Sequence, residues 1–298
     1  MDPTRTPLTV GQEMTLAWTR MYSSMMTNAF GWHLGNADHL AAHTYGPHPD
    51  ECLDIMIPGE PASGLPIIFI HGGGWTMGSK DAYRNDLEQL RTAGRTVFNV
   101  EYPKAPERPH PFMLGSILSA LQWIKREQGV AQAHLVGDSA GGTLAIMAAL
   151  LILNDTLRAP LGEAYTDVNT PAIASVSSLY GVLDRQSCFD TNVPGGSAML
   201  AAYGGQEVLK QTVDADHAIT PMDLEFKNHP PCFLAVGSED ILLASSELYR
   251  DRLVEEGVSH RYKAYDGAVH GFLSSSFDPQ RTELLSDILD FISEFDAP

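Results

Sequence analysis

Ala133-His134-Leu135-Val136-Gly137-Asp138-Ser139-Ala140-Gly141-Gly142 runs directly into an apolar segment that continues through Leu153. A short apolar run, a cluster of small residues and a long helix-forming segment read as strand, sharp turn and helix, with Ser139 at the apex. A nucleophile held on so tight a bend leaves no room for side chains two positions to either side, so Gly137 and Gly141 are steric requirements of the turn. Ser139 then stands at the C-terminal edge of a sheet. The helix that follows is rich in Ala, Leu, Ile and Met and apolar almost all round, the pattern of a core helix. Its N-terminus carries unsatisfied N–H groups and the positive end of the helix dipole, which favour negative charge developing on a bound acyl group. A bare Gly-x-Ser-x-Gly also occurs in ordinary strand-to-helix turns, so its meaning rests on the surrounding chain.

Outward from this turn, strand and helix alternate. Leu53 to Ile57 and Pro66 to Ile70 read as strands, the second a continuous apolar run of the kind buried on both faces of a parallel sheet. Lys80 to Thr92 reads as a helix stopped by Gly94, Thr96 to Val100 as a strand, and Phe112 to Glu127 as a helix stopped by Gly129. Beyond the serine, Ala172 to Leu179, Cys232 to Val236 and His260 to Tyr265 are strands. Ala244 to Glu256 is a helix, and a last amphipathic helix aligns Leu285, Ile288, Ile292 and Phe295. The alternation predicts an α/β fold with a mostly parallel sheet flanked by helices.

Two stretches break the rhythm. Residues 12 to 30 place Met14, Ala17, Trp18, Met21, Tyr22, Met25 and Met26 on one helical face, which reads as core packing or as a pliable cover over an apolar ligand. Gly31 to Pro49 reads as a linker. Asp184 to His229 is longer than an ordinary connection, with a Pro194-Gly195-Gly196 loop and short helical pieces, and such insertions are commonly functional.

Composition narrows the partners. The chain has 298 residues and a net charge of -18, from 37 acidic against 19 basic residues, which argues against nucleic acid or anionic membrane surfaces. The longest apolar run, Leu144 to Leu153, is about half a membrane span. Met1-Asp2-Pro3-Thr4-Arg5 lacks the features of a signal peptide, and three widely spaced cysteines, Cys52, Cys188 and Cys232, fit a reducing compartment without a disulfide framework. A cytoplasmic protein is expected.

Chemistry gathers at three strand ends. The run Ile67 to Ile70 ends in His71-Gly72-Gly73-Gly74-Trp75, where glycines bring backbone N–H groups close to a ligand. With the N–H of Ala140, those of Gly73 and Gly74 would cradle an oxyanion. Serine needs a base and the base an orienting carboxylate. Among eleven histidines, His270 alone sits at a strand end in a small-residue loop, Gly267-Ala268-Val269-His270-Gly271-Phe272. His71 reads as a structural hydrogen-bonder and His134 as directed to a sheet face. His33, His39, His43 and His48 belong to the N-terminal region, and His110, His217, His229 and His260 to connections or a strand start. Asp240, which begins the connection after Gly237-Ser238-Glu239, is preferred over Glu239 as the acid. The order is Ser139, Asp240, His270.

With these residues in place, the sequence resembles the hormone-sensitive-lipase-like family of α/β-hydrolases, bacterial esterases marked by His-Gly-Gly-Gly and Gly-Asp-Ser-Ala-Gly-Gly. The resemblance covers about residues 65 to 275. Tyr102-Pro103-Lys104-Ala105-Pro106-Glu107 is similar to the family's Tyr-x-x-Ala-Pro-Glu segment, which in relatives supports the oxyanion loop. The family's Asp-Pro-Leu is here Asp240-Ile241-Leu242. The resemblance implies an eight-stranded α/β-hydrolase core, residues 46–183 and 230–298, under a small helical cap, residues 1–45 and 184–229.

It also implies a serine carboxylic-ester hydrolase acting on short acyl chains, with no metal or organic cofactor. Trp75, Met21 and Met25 are candidate substrate-binding residues, and a homodimer through His260 to Tyr265 and the last helix is plausible by the same resemblance. An amidase or formamidase uses the same intermediate and stays open. A ligand-binding receptor without catalysis predicts a broken triad, and all three members are intact.

Overall fold

Ile67 and Phe69 enter one hydrophobic core while Ile68 and Ile70 enter another on the opposite side of the same strand. A strand whose alternate side chains are both buried needs a layer of helices on each face, which is why the run is continuously apolar. The structure is a computed structural model and describes residues 5–29, 40–59, 61–158, 162, 165, 167–190, 193–210, 218–275 and 278–296. Its strands are β1 (Leu40–Thr44), β2 (Cys52–Met56), β3 (Ile67–Ile70), β4 (Val97–Val100), β5 (Gln132–Asp138), β6 (Ala172–Leu179), β7 (Cys232–Gly237) and β8 (His260–Tyr265). They form one eight-stranded sheet in the order β1-β2-β4-β3-β5-β6-β7-β8. From β4 to β8 the pairings are parallel, and β1 and β2 add an antiparallel edge.

The helices are α1 (Val10–Ala29), α2 (Arg84–Thr92), α3 (Phe112–Gln128), α4 (Ala140–Leu153), α5 (Asp155–Arg158), α6 (Arg185–Asp190), α7 (Gly196–Gly204), α8 (Leu243–Glu255) and α9 (Gln280–Ser293). Helices α3, α4 and α8 pack in the core on one side of the sheet, and α2 and α9 in the core on the other. Every residue of α4 from Ala140 to Leu151 is buried, which accounts for its apolar circumference. Chain order reverses between β3 and β5, so the connections leaving their C-terminal ends diverge and leave a crevice. Ile70 stands beside Gly137 in register, which sets the His71 loop against the Ser139 turn. Among the described residues, no helix is long and apolar enough to cross a membrane.

Two expectations are corrected. The stretch Gly31 to Pro49, read as a linker from the N-terminal cap segment into the core, contains β1, which pairs with β2 from Leu40↔Met56 to Thr44↔Cys52. A five-residue edge strand gains its hydrogen bonds from its partner, and its Leu-Ala-Ala-His-Thr sequence carries little β signal of its own. The second correction concerns α1. The helix forms, but the face read as packed or ligand-covering is turned outward: Met14, Trp18, Met21, Tyr22 and Met25 are exposed, Met25 by 60%. The face turned inward carries buried Leu16 and the anchor Arg20, which donates to the carbonyls of Thr76 (2.8 Å) and Ala105 (2.6 Å) and pairs with Glu107. Polar anchoring, which hydrophobic spacing does not register, chose the orientation. The side chain of Met26 lies outside the described residues.

The C-terminal end is tied to the sheet by Asp296, which accepts from Arg95 (2.7 and 2.5 Å) and from the Leu65 N–H (2.8 Å) and faces buried His134. Burial works against its charged form, but these donors hold its carboxyl down at about 2. A depressed carboxyl contributes stability above its ordinary range and loses it as pH falls. Asp296→Asn is therefore expected to lower stability by about 1–2 kcal/mol at pH 7, with the gap closing towards pH 2, as read by urea unfolding at both pH values.

Candidate active site

Ser139 occupies φ 50°, ψ -123°, a conformation that L residues rarely adopt, between β5 and α4. Its N–H donates to the Leu179 carbonyl at the end of β6 (2.8 Å), and its own carbonyl accepts from Gly142 (3.0 Å). The glycine requirements read from the sequence have identifiable causes. A Cβ on Gly141 would lie 2.0 Å from the Ile70 carbonyl oxygen, and one on Gly137 would lie 2.3 Å from that of Gly141.

Ser139 Oγ lies 3.0 Å from His270 Nε2, and His270 Nδ1 lies 3.1 Å from both carboxylate oxygens of Asp240. The three side chains come from the ends of β5, β7 and β8. Asp240 is buried and is further held by the Leu242 N–H (2.7 Å). Neighbouring Glu239 takes a different path, its N–H donating to the Ala268 carbonyl. Tyr180, also at positive φ, sets its ring edge-on to His270 at 5.1 Å. With Nδ1 facing the carboxylate, the imidazole is oriented to present Nε2 to the serine hydroxyl, the geometry a general base requires.

Gly73 and Gly74 sit at φ 121° and 56° in the loop after β3. Among the described residues, their N–H groups donate to no protein acceptor. They line the same cavity as Ser139, and Ala140 begins α4 beside it. The loop is held from behind. The two ring nitrogens of His71 face the Gly72 carbonyl (2.7 Å) and Glu101 (3.0 Å), Tyr102 donates its hydroxyl to the His71 carbonyl (2.7 Å), and the Ala105 N–H donates to the Trp75 carbonyl (3.0 Å). Burial alone would raise the Glu101 carboxyl, but His71 and Lys104 beside it hold it well below the carboxylate range.

Asp138 is the residue that pattern reading passed over. Its carboxylate accepts from the Gly72 N–H (2.7 Å) and the Tyr83 hydroxyl (3.0 Å), linking the serine turn to the glycine loop. Burial raises its pKa to about 6 against the lowering effect of these donors. Only its place beside the serine hinted at a role.

The cavity over Ser139 has a volume of about 480 Å³. Cys188, Val193, Pro194, Gly196 and Met199 of the 184–229 insertion line it, and Trp75, stacked on Tyr203 with centroids 4.6 Å apart, forms a wall. Met21 and Met25 do not line it, because α1 presents them to solvent. The remaining described histidines have local duties. His134 bonds Ser175 (2.8 Å), and burial lowers His110 and His229 to about 4, beside Tyr203 and Tyr249 respectively. His33, His39 and His217 lie outside the described residues.

Comparison with known proteins gives the same architecture. A family model described as alpha/beta hydrolase fold matches residues 67–274. An esterase of Acinetobacter venetianus is 26% identical over 242 residues, spanning 79% of this chain and 77% of its own. An acetyl esterase of Salmonella paratyphi B is 26% identical, spanning 77% and 72%. The crystal structure of esterase B from Lactobacillus rhamnosis superposes with a TM-score of 0.80 over 97% of each chain at 18% identity, a likeness of fold.

Two outcomes follow from the geometry. Because the Asp138 pKa is raised by folding, its stability contribution is full below about pH 4 and is lost as pH rises through about 6. Asp138→Asn should gain on the wild type by about 1–3 kcal/mol across that window in paired urea titrations. Met21→Ala and Met25→Ala should leave acyl-chain preference in ester hydrolysis unchanged, since neither side chain reaches the cavity.

Proposed function

The chain belongs to the alpha/beta hydrolase fold family, and from that premise we propose that it is a serine carboxylesterase acting on small esters with short acyl chains. The observation that carries this reading is the unbroken line from the Asp240 carboxylate through both nitrogens of His270 to the Ser139 hydroxyl. His270 Nε2 takes the Ser139 proton as the oxygen attacks the acyl carbon. The carbonyl oxygen becomes an oxyanion that accepts from the N–H groups of Gly73, Gly74 and Ala140, backbone donors that stabilise the charge as it develops. His270 then gives the proton to the departing alkoxide, and an alcohol leaves. A water, deprotonated by the same imidazole, attacks the acyl-enzyme, and collapse of the second tetrahedral intermediate frees the acid and Ser139. Asp240 keeps the ring in the tautomer that presents Nε2 and stabilises the imidazolium.

Short acyl chains suit a cavity of about 480 Å³ lined by Val193, Cys188 and Met199 together with Trp75. The acetyl esterase activity of the Salmonella relative agrees with this preference. Trp75 is then a substrate-contacting wall, held in place by Tyr203.

Hydrolysis of p-nitrophenyl esters with acyl chains of two to twelve carbons, beside a matched anilide, tests the reading. kcat/KM should peak at the short end and exceed the anilide value. Ser139→Ala should lose at least about a thousandfold in kcat with its melting curve intact, and Asp240→Asn about ten-thousandfold. An inert wild type, or a Ser139→Ala variant as active as the parent, would overturn it.

A further inference from the structure

A second cavity, of about 450 Å³, lies between the β4–α3 connection and the residues leading into β2. It shares no lining residue with the cavity over Ser139. Arg108 lines it, half-buried. Among the described residues, Arg108 is the one arginine whose side chain has no ion pair, hydrogen bond or ring contact; the others are engaged by carboxylates or carbonyls. In a chain with 37 acidic residues against 19 basic ones, a guanidinium with neither a hydrogen bond nor an ion pair is the exception among the described arginines. Withdrawing such a charge partly from water is unfavourable until an anion pairs with it, and its planar fork suits a carboxylate.

His48 and the apolar part of the lining fit the same ligand. His48 accepts the Asp50 N–H at Nδ1 (3.1 Å), which leaves its ring proton on Nε2 as a donor. Glu51 also reaches the cavity, but one of its oxygens accepts from the Ser116 hydroxyl (2.7 Å) and the other from the His48 N–H (3.0 Å). The apolar walls are Phe112, 46% exposed, the ring of Tyr165, and prolines from both flanking segments. A Cβ on Gly115 would lie 2.8 Å from the Tyr165 hydroxyl, so the glycine admits that ring to the wall.

We propose that this cleft is a second binding site, separate from the catalytic cavity, for a small organic carboxylate with a flat apolar body: the carboxylate on Arg108, the body against Phe112 and Tyr165. The proposal is independent of the ester-hydrolase reading.

Calorimetric titration of the full chain with benzoate, benzamide and benzylamine tests it. Benzoate should bind saturably, benzamide and benzylamine at least about tenfold more weakly. Arg108→Gln should weaken benzoate at least about tenfold, and Phe112→Ala should weaken it with the charge still in place, both with unchanged melting temperature. Val193→Trp, which narrows the catalytic cavity, should leave benzoate binding as it was. The site is refuted if benzoate does not bind, if Arg108→Gln binds it like the wild type, or if benzylamine binds better. Loss of binding in Val193→Trp would also refute it, by putting benzoate over Ser139.

Discussion

Backbone meets backbone where β3, β5 and α4 converge, and the site depends on that contact. Gly141 lies so close to the carbonyls of Ile70 and His71, and Gly137 to that of Gly141, that no side chain fits at either position. This closeness sets the loop after β3 and the turn after β5 side by side at the cavity over Ser139. It also keeps Ser139 in its strained conformation, because the Leu179 carbonyl on one side and the buried α4 on the other leave it no relaxed alternative. The strain is borne by the core, since α4 cannot shift without opening the packing around Leu144, Ile146 and Met147.

Two buried carboxylates hold the glycine loop, and their surroundings drive them in opposite directions. Asp138 has neutral donors, the Gly72 N–H and the Tyr83 hydroxyl, so desolvation prevails and its pKa rises. Glu101 has Lys104 and His71 beside it, so it remains charged in spite of burial. The loop is thus anchored by one group sensitive to mildly acidic pH and one insensitive to it. Arg20 of α1 adds a third anchor, reaching the carbonyls of Thr76 and Ala105, so the N-terminal helix contributes to the site through its polar face.

Much of this is legible in the sequence itself. Where a segment is buried on all sides its composition says so, as in β3 and α4. Where tight geometry excludes a Cβ, glycine marks the place, as at Gly137 and Gly141. The strand-end logic brought Ser139, Asp240 and His270 together from residues 101 and 30 positions apart. Local pattern failed where the deciding contacts are distant or polar. Strand β1 exists because β2 offers it hydrogen bonds, and α1 turned Met14, Met21 and Met25 outward because Arg20 and Leu16 took the inward positions.

Sequence alone determined the alternating α/β order, the position of the strained serine turn and the identity of the three residues aligned on it, because each is written in local composition or in sterically required glycine. Tertiary structure alone decided which face of α1 is covered, that Asp138 ties the serine turn to the glycine loop, and that residues of the 184–229 insertion line the cavity over Ser139. Among the described residues, it also left Arg108 unpaired in a cleft of its own. Those outcomes depend on which groups meet across the fold and on whether each buried charge finds a partner, and neither quantity is a property of any single stretch of chain.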